Sequence, residues 1–215
     1  MSELSQKLEM FYSGAVFDVL REMGHPDCLL PRSIRAIDPD TRVSGRVFTM
    51  RGRPDNLISA HDSLVAWTEF LTVAPSGDVV VCQPQDDVRA LLGELSAETL
   101  QFRGVKGYIV DGGSRDNAFL RRMGFPVFAR FQTPRDIVAA WRPEAFGEPI
   151  SIGQVLIRSG DYVVADIDGI VIIPGELAEK VITMVEKVMS TENLVRKAIL
   201  DGMDPKDAYL KYGKF

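Results

Sequence analysis

The sequence is poor in the residues that usually hold metals and bridge strands, with two histidines and two cysteines among 215 residues. His25 and His61 fit no HExxH or similar spacing, which argues against a zinc site. Both read as capping or packing residues, with a proton shuttle as the alternative. Cys28 and Cys82 fit no CxxC pattern and read as reduced thiols, Cys82 in buried core. Long apolar runs are also missing. The most apolar stretch, residues 162–173, is interrupted by Asp166 and Asp168 and falls short of the roughly 20 residues that span a bilayer. The opening MSELSQKLEM is charged and has no signal-peptide core, so a cytoplasmic protein is expected. Basic residues do not cluster: 25 Lys and Arg are scattered among 30 Asp and Glu, for a net charge of −5. Neither a nucleic acid nor a membrane surface is therefore expected as a partner. No GxGxxG or P-loop motif, internal repeat, low-complexity tract or linker is present.

Hydrophobic residues make up 46% of the chain, enough to build a core for one large domain or two small ones. Apolar spacing predicts helix over residues 3–23, broken near Ser13-Gly14, where a second helix would be capped. A strand follows over 41–50 with a bulge or close approach at Gly45, then a helix over 56–70 with Leu57, Leu64 and Val65 on its inner side. Residues 79–82 form a continuous apolar run of the kind buried on both sheet faces. A helix is predicted over 87–102, with Leu91, Leu95 and Leu100 inward, and short strands at 108–110 and 127–129. The alternation over 30–130 implies a sheet with helices packed on it. After Trp141 the pattern changes to short strands over 149–173 with a hairpin at Asp168-Gly169. A long helix from Glu176 and a short one over 204–212 close the chain. The whole reads as a single α/β domain with two kinds of sheet, in which Trp67 and Trp141 read as packing residues, with pocket lining as the alternative.

The stretch GYIVDGGSRD, residues 107–116, reads as a buried strand, a tight turn and a helix beginning at Ser114. Arg115 and Asp116 then stand at a strand-to-helix junction, where α/β proteins usually bind ligands. Adjacent Arg-Asp pairs at helix starts are also common surface features, because the helix dipole favours the acid. In the absence of His and Cys clusters, Asp116, Asp111, Glu94 and Asp78 are the candidate ligands for a hard ion such as Mg²⁺ or Mn²⁺. An arginine beside such an ion suggests an anionic ligand shared between them, since the two cations repel. Asp166 and Asp168 read as turn residues.

Glu94 in LGELSA, the twenty residues that follow it, and Arg115-Asp116 resemble the acid-x20-Arg-Asp signature of the RraA-like family, which includes 4-hydroxy-4-methyl-2-oxoglutarate aldolases. PSGDVVV, TPRD and GDYVVADIDGIVIIP also resemble segments of that family, and residues 13–24 its opening helix. The resemblance implies one domain over residues 1–215, with N-terminal helices and a long C-terminal helix. It implies a three-layer β/β/α swivelling fold, assembled as homotrimers or homohexamers with the active site between subunits. It further implies that Asp116 holds the divalent metal and that Arg115 holds the pyruvyl part of a 2-oxo acid substrate. The backbone N–H groups of Gly93, Glu94, Leu95 and Ser96 would receive its carboxylate, and Glu94 would act through metal-bound water. Glu192 is the match for a C-terminal glutamate that an adjacent subunit contributes. Two departures stand out: the family's acid at position 94 is often Asp, and Gln85-Asp86-Asp87 replaces glycines often found after the GDV strand.

These roles describe a class II pyruvate aldolase. Cleavage of C3–C4 in a 4-hydroxy-2-oxo acid would leave a pyruvate enolate stabilised by metal and Arg115, and oxaloacetate decarboxylation would pass through the same enolate. A polycarboxylate substrate needs a second cation, for which Arg51, Arg53, Arg130, Arg135 and Arg142 are candidates. The alternative implied by the resemblance is a non-enzymatic regulator that binds and inhibits an RNA-degrading endonuclease. The presence of Glu94, Arg115 and Asp116 favours the enzyme.

Overall fold

The computed structural model describes residues 3–214; Met1, Ser2 and Phe215 of the expected domain lie outside the described residues. Four parallel strands form its centre: β2 (Val43–Pro54), β3 (Asp78–Gln83), β4 (Gly107–Ser114) and β5 (Val127–Gln132). The two-residue β1 (Arg35–Ala36) pairs antiparallel with β5. At the other side β2 carries β9 (Tyr162–Ala165), followed by β10 (Ile170–Ile173), both antiparallel. The far half of β2 pairs with β6 (Trp141–Phe146), and β7 (Ile150–Ile152) and β8 (Val155–Ile157) form a separate hairpin.

Alternation along the central strands assigns the layers. Val80 and Cys82 of β3 and Tyr108 and Val110 of β4 pack under α3 (Ala60–Val73), α4 (Glu94–Phe102) and α5 (Asn117–Met123), through Trp67, Phe70, Leu100 and Leu120. Val79, Val81 and Ile109 point the other way, against Ile150, Ile152 and Ile157 of the β7–β8 hairpin. Helices, central sheet and a smaller β layer make the three-layer β/β/α arrangement of a single α/β domain. The strands β9 and β10 repeat the alternation. Val163 and Ile172 join the hairpin core, while Val164 and Val171 pack under α1 (Glu3–Leu8), α2 (Ser13–Glu22) and α6 (Ala178–Leu200). The last helix, α7 (Pro205–Tyr212), begins at Asp204, whose side chain accepts from Lys206 and Asp207 N–H.

Several expectations are corrected. The inner face of α3 is Ser63, Trp67, Phe70 and Leu71. Leu57, Leu64 and Val65 are exposed, because this segment carries apolar residues on both sides and periodicity alone could not choose between them. The expected helix over 87–102 is helical only from Glu94, and Leu95 is 77% exposed. The bulge of β2 falls between Arg51 and Gly52, not at Gly45. A Cβ on Gly52 would sit 2.1 Å from Trp141, so glycine is required where the indole crosses the strand. Ser13 does not cap α2; Tyr12 occupies that position. Ser13 N–H and Oγ instead donate to the Asp166 carboxylate at 2.7 and 2.6 Å, so Asp166 ties the β9–β10 turn to the first turn of α2 as well as accepting from Asp168 N–H. Strand β6 is an addition to the expected elements: Pro143 within the run argues against a strand in the sequence, yet burial alternates from Trp141 to Glu144.

Candidate active site

The tight turn expected at Asp111-Gly112-Gly113 is strand instead: β4 runs through both glycines to Ser114, with a register shift between Val110 and Gly113. Packing explains the glycines. A Cβ on Gly112 would lie 2.8 Å from Pro84, and one on Gly113 would lie 2.6 Å from the Arg89 carbonyl oxygen. The irregular segment 84–93 can therefore lie directly on the strand, where Leu91 N–H donates to Gly113 O and Arg115 N–H to Leu92 O, both at 2.9 Å. Asp86 organises that segment. Its carboxylate accepts Val88 and Arg89 N–H at 2.7 Å and the Arg89 guanidinium at 2.6 Å. Burial pushes the Asp86 carboxyl up, but these contacts and the Arg89 charge outweigh it and hold it below the usual range.

The chain turns at Asp116, which adopts a left-handed conformation (φ 56°) that Asp tolerates better than most residues. Its carbonyl oxygen accepts Phe119 and Leu120 N–H and so starts α5. Its carboxylate does not cap that helix; it crosses to the start of α4, where Oδ2 accepts Glu94 N–H at 3.1 Å. Gly93, the residue before α4, permits this approach: a Cβ there would sit 2.5 Å from Asp116 Oδ2 and 3.0 Å from Arg115 Nε. The following N–H groups of Leu95 and Ser96 lie in the first turn of the helix, where no intrahelical acceptor exists. Arg115 lies between two acids, with Nε 3.6 Å from Asp116 Oδ2 and an amino nitrogen 3.2 Å from Asp136 Oδ2. The Ser96 hydroxyl accepts the Trp67 indole N–H at 2.9 Å, which fixes the α4 start against α3.

These groups open on one cavity of about 560 Å³, at the carboxyl ends of the parallel strands. Gly93, Glu94, Leu95, Ser96, Arg115 and Asp116 all line it. Sequence reasoning missed Asp136, which belongs to the quoted TPRD motif, and the apolar walls supplied by Leu71, Ile137 and Val138. The other proposed ligands lie elsewhere. Asp78 stands at the opposite end of β3, 3.8 Å from Arg46, and burial raises its carboxyl. Asp111 lies 3.4 Å from Arg130, and burial raises it as well. Glu192 accepts the Tyr12 hydroxyl at 2.5 Å on the far helices; burial and this bond push the phenol to about 12. In one chain Glu192 is therefore not part of the cavity. Both cysteines are free and buried, and burial raises their thiols to about 11 for Cys28 and about 12 for Cys82.

Among the described residues no three His, Cys, Asp or Glu converge as a metal cluster. One carboxylate still suits Mg²⁺ or Mn²⁺, which keep several waters. Glu94, Asp116 and Asp136 outnumber Arg115 and Arg103 in the cavity wall, so its charge favours a cation. No helix among the described residues is long and apolar enough to cross a membrane.

A family model described as RraA-like, Aldolase/RraA, matches residues 13–172. A protein of Halalkalibacterium halodurans, provisionally named a 4-hydroxy-4-methyl-2-oxoglutarate aldolase, is 30% identical over 85% of this chain and 83% of its own length. A 4-hydroxy-4-methyl-2-oxoglutarate aldolase of Thermus thermophilus is 27% identical over 67% of this chain and 84% of its own. Among solved structures, Streptomyces coelicolor RraAS2, described as an unusual member of the RNase ES inhibitor RraA protein family, superposes with a TM-score of 0.81 at 27% identity. That match covers 92% of this chain and 98% of the other. With its fold, its Glu94, Arg115 and Asp116 in one cavity, and a family match over more than half its length, this chain belongs to the RraA-like family.

Proposed function

We propose that this protein is a divalent-metal-dependent pyruvate aldolase that cleaves a 4-hydroxy-2-oxo acid to pyruvate and a second carbonyl product, and that it also decarboxylates oxaloacetate. The observation that carries this reading is the convergence of Arg115 and Asp116 on the N-terminus of α4 within one cavity. Asp116, with Glu94 acting through water, would hold Mg²⁺ or Mn²⁺, which would supply Lewis-acid polarisation of the 2-oxo group. First-turn N–H groups of α4 would receive the substrate carboxylate, since a helix N-terminus favours an anion. The Arg115 guanidinium would leave Asp136 in part to face the oxygen that gains charge as C3–C4 breaks. Glu94 would orient the water that removes the C4 hydroxyl proton.

The assembly expected is a homotrimer or homohexamer, with Glu192 of a neighbouring copy reaching this cavity. Leu64 and Leu95 are exposed apolar residues on the cavity wall, and Val65 is exposed beside Leu64; these support burial there by another subunit. A cytoplasmic site of action accompanies this reading. The likeness to RraAS2 supports a second reading, a regulator that binds a ribonuclease. Pyruvate release from oxaloacetate and from 4-hydroxy-4-methyl-2-oxoglutarate, with Mg²⁺ and with chelator, separates them. The aldolase releases pyruvate only with the metal; no release under any condition, together with tight capture of a ribonuclease, selects the regulator.

A further inference from the structure

The proposed chemistry uses Glu94 and Asp116 but gives no task to Asp136, the third acid of the cavity wall. Its carboxylate is firmly seated. One oxygen, Oδ1, accepts Val138 N–H at 3.2 Å, and the other, Oδ2, accepts an Arg115 amino group at 3.2 Å. The loop that carries it, residues 133–140, is fastened along its length. Thr133 N–H donates to Ser114 O at 3.1 Å, Ala90 N–H to Arg135 O at 2.8 Å, and Ala139 N–H to Ser63 Oγ at 3.1 Å, with Ile137 buried between them. Asp136 is thus a fixed carboxylate against which the longer Arg115 side chain is set.

The Arg115 guanidinium spans two acids, and its shorter contact is to Asp136, 3.2 Å against 3.6 Å for Asp116. That order matters because Asp116 is the proposed metal ligand. A guanidinium on the same carboxylate competes with a divalent cation and repels it. Arg115 must nevertheless stay in the cavity to meet the substrate. Arg115 and Asp116 also border a second cleft of about 350 Å³, lined by Asn117, Gln132, Thr133 and Pro134, which Asp136 does not border. The pull of Asp136 therefore keeps the guanidinium on the α4 side of Asp116 and out of that cleft. Resting on the metal-dependent reading of the site, we infer that Asp136 is a positioning residue that draws Arg115 off the Asp116 carboxylate, so that one pocket can hold a cation and an arginine at once. The Arg115–Asp136 contact lies within one chain and needs no residue from a neighbouring copy.

Mn²⁺ affinity of the full chain without substrate, read from free Mn²⁺ by electron paramagnetic resonance, tests this in a double-mutant cycle. Asp136→Asn keeps an acceptor for Val138 N–H and removes the charge; Asp136→Ser, whose hydroxyl can take the same N–H, is a second such variant. Each is combined with Arg115→Gln, and thermal melts select the folded proteins. With Arg115 present, loss of the Asp136 charge returns the guanidinium to Asp116 and should weaken Mn²⁺ binding about fivefold. In the Arg115→Gln background the competitor is gone, so the same change should leave affinity nearly unchanged, and Arg115→Gln alone should tighten it. A ratio of about threefold or more between the two losses is the expected result. A smaller ratio in a folded variant, equal losses in the two backgrounds included, means that Asp136 acts on the ion by charge alone or not at all. That result overturns the inference and leaves the metal reading in place. No Mn²⁺ binding by the wild type, or binding that Asp116→Asn leaves unchanged, brings down that reading and this inference together.

Discussion

Gly93→Ala tests the site with one added methyl group. The backbone at Gly93 is extended (φ −135°, ψ −174°), so alanine meets no backbone strain there. Its Cβ would lie 2.5 Å from Asp116 Oδ2. Relief to van der Waals contact moves that oxygen by roughly 1 Å, which breaks the 3.1 Å bond from Glu94 N–H. Loss of that charge-assisted bond, with alanine a poorer helix cap than glycine, costs about 1–2 kcal/mol. In a chain of this size that lowers Tm by roughly 3–6 °C. A displacement of about 1 Å at a catalytic centre reduces rate roughly 100-fold. The assays are a thermal melt and kcat/KM for metal-dependent pyruvate release. A variant within about threefold of wild-type kcat/KM would refute the idea that the Asp116 carboxylate, as placed by Gly93, takes part in the reaction.

Asp116→Asn retains an acceptor for Glu94 N–H and tolerates the left-handed backbone, so Tm should change little while pyruvate release falls about 100-fold or more; Asp116→Ala should lose Tm as well, by the strain of alanine at φ 56°. Asp86→Asn should destabilise by about 2–3 kcal/mol at pH 7 in chemical denaturation, since it leaves Arg89 without its buried partner. Because the folded-state pKa of Asp86 lies below its unfolded value, its contribution is present above the unfolded value and is lost as pH falls through the folded one. The two proteins should therefore converge in stability under acid. Asp111 has the opposite sign: its raised pKa means its charged form opposes folding once pH rises through the folded value, so Asp111→Asn should be neutral or stabilising at pH 7 and indistinguishable from wild type in acid. Gly52→Ala, which drives a Cβ into the Trp141 ring, should cost more than about 3 kcal/mol or prevent accumulation of soluble protein, as measured by denaturation and expression yield.

Much of the site could be read from one spacing. Glu94 and Arg115-Asp116 are separated by a helix and a strand, and the structure returns them to each other because α4 leads directly into β4. What sequence could not show is how they meet. Gly112-Gly113 looked like a turn because glycine pairs usually mark one, yet both positions are strand whose missing side chains admit segment 84–93. Asp136 escaped notice because its partner, Arg115, lies 21 residues away in sequence and is reached only after β5 has been placed. The buried face of α3 was misjudged for a different reason: Leu57, Leu64 and Val65 are as apolar as Trp67 and Phe70, and only the position of the sheet decides between them. The layers were more legible, since the run Val79-Val80-Val81-Cys82 requires apolar cover on both faces and receives it.

Strand β2 has a consequence for how the chain reaches this state. Its edges are closed by β3 on one side and by β9 and β6 on the other, and the last two lie near the end of the sheet-forming sequence. During synthesis one edge of β2 must wait for roughly a hundred more residues to emerge, on the order of ten seconds at ordinary translation rates. Over that interval Val43 and Val47 are exposed beside unpaired backbone groups, the condition under which nascent strands pair with the wrong neighbour. Folding of the sheet is thereby tied to late, long-range closure, so it should be slow for a domain of this size. Once formed, the amides in the middle of β2 should exchange with solvent only when the whole domain opens.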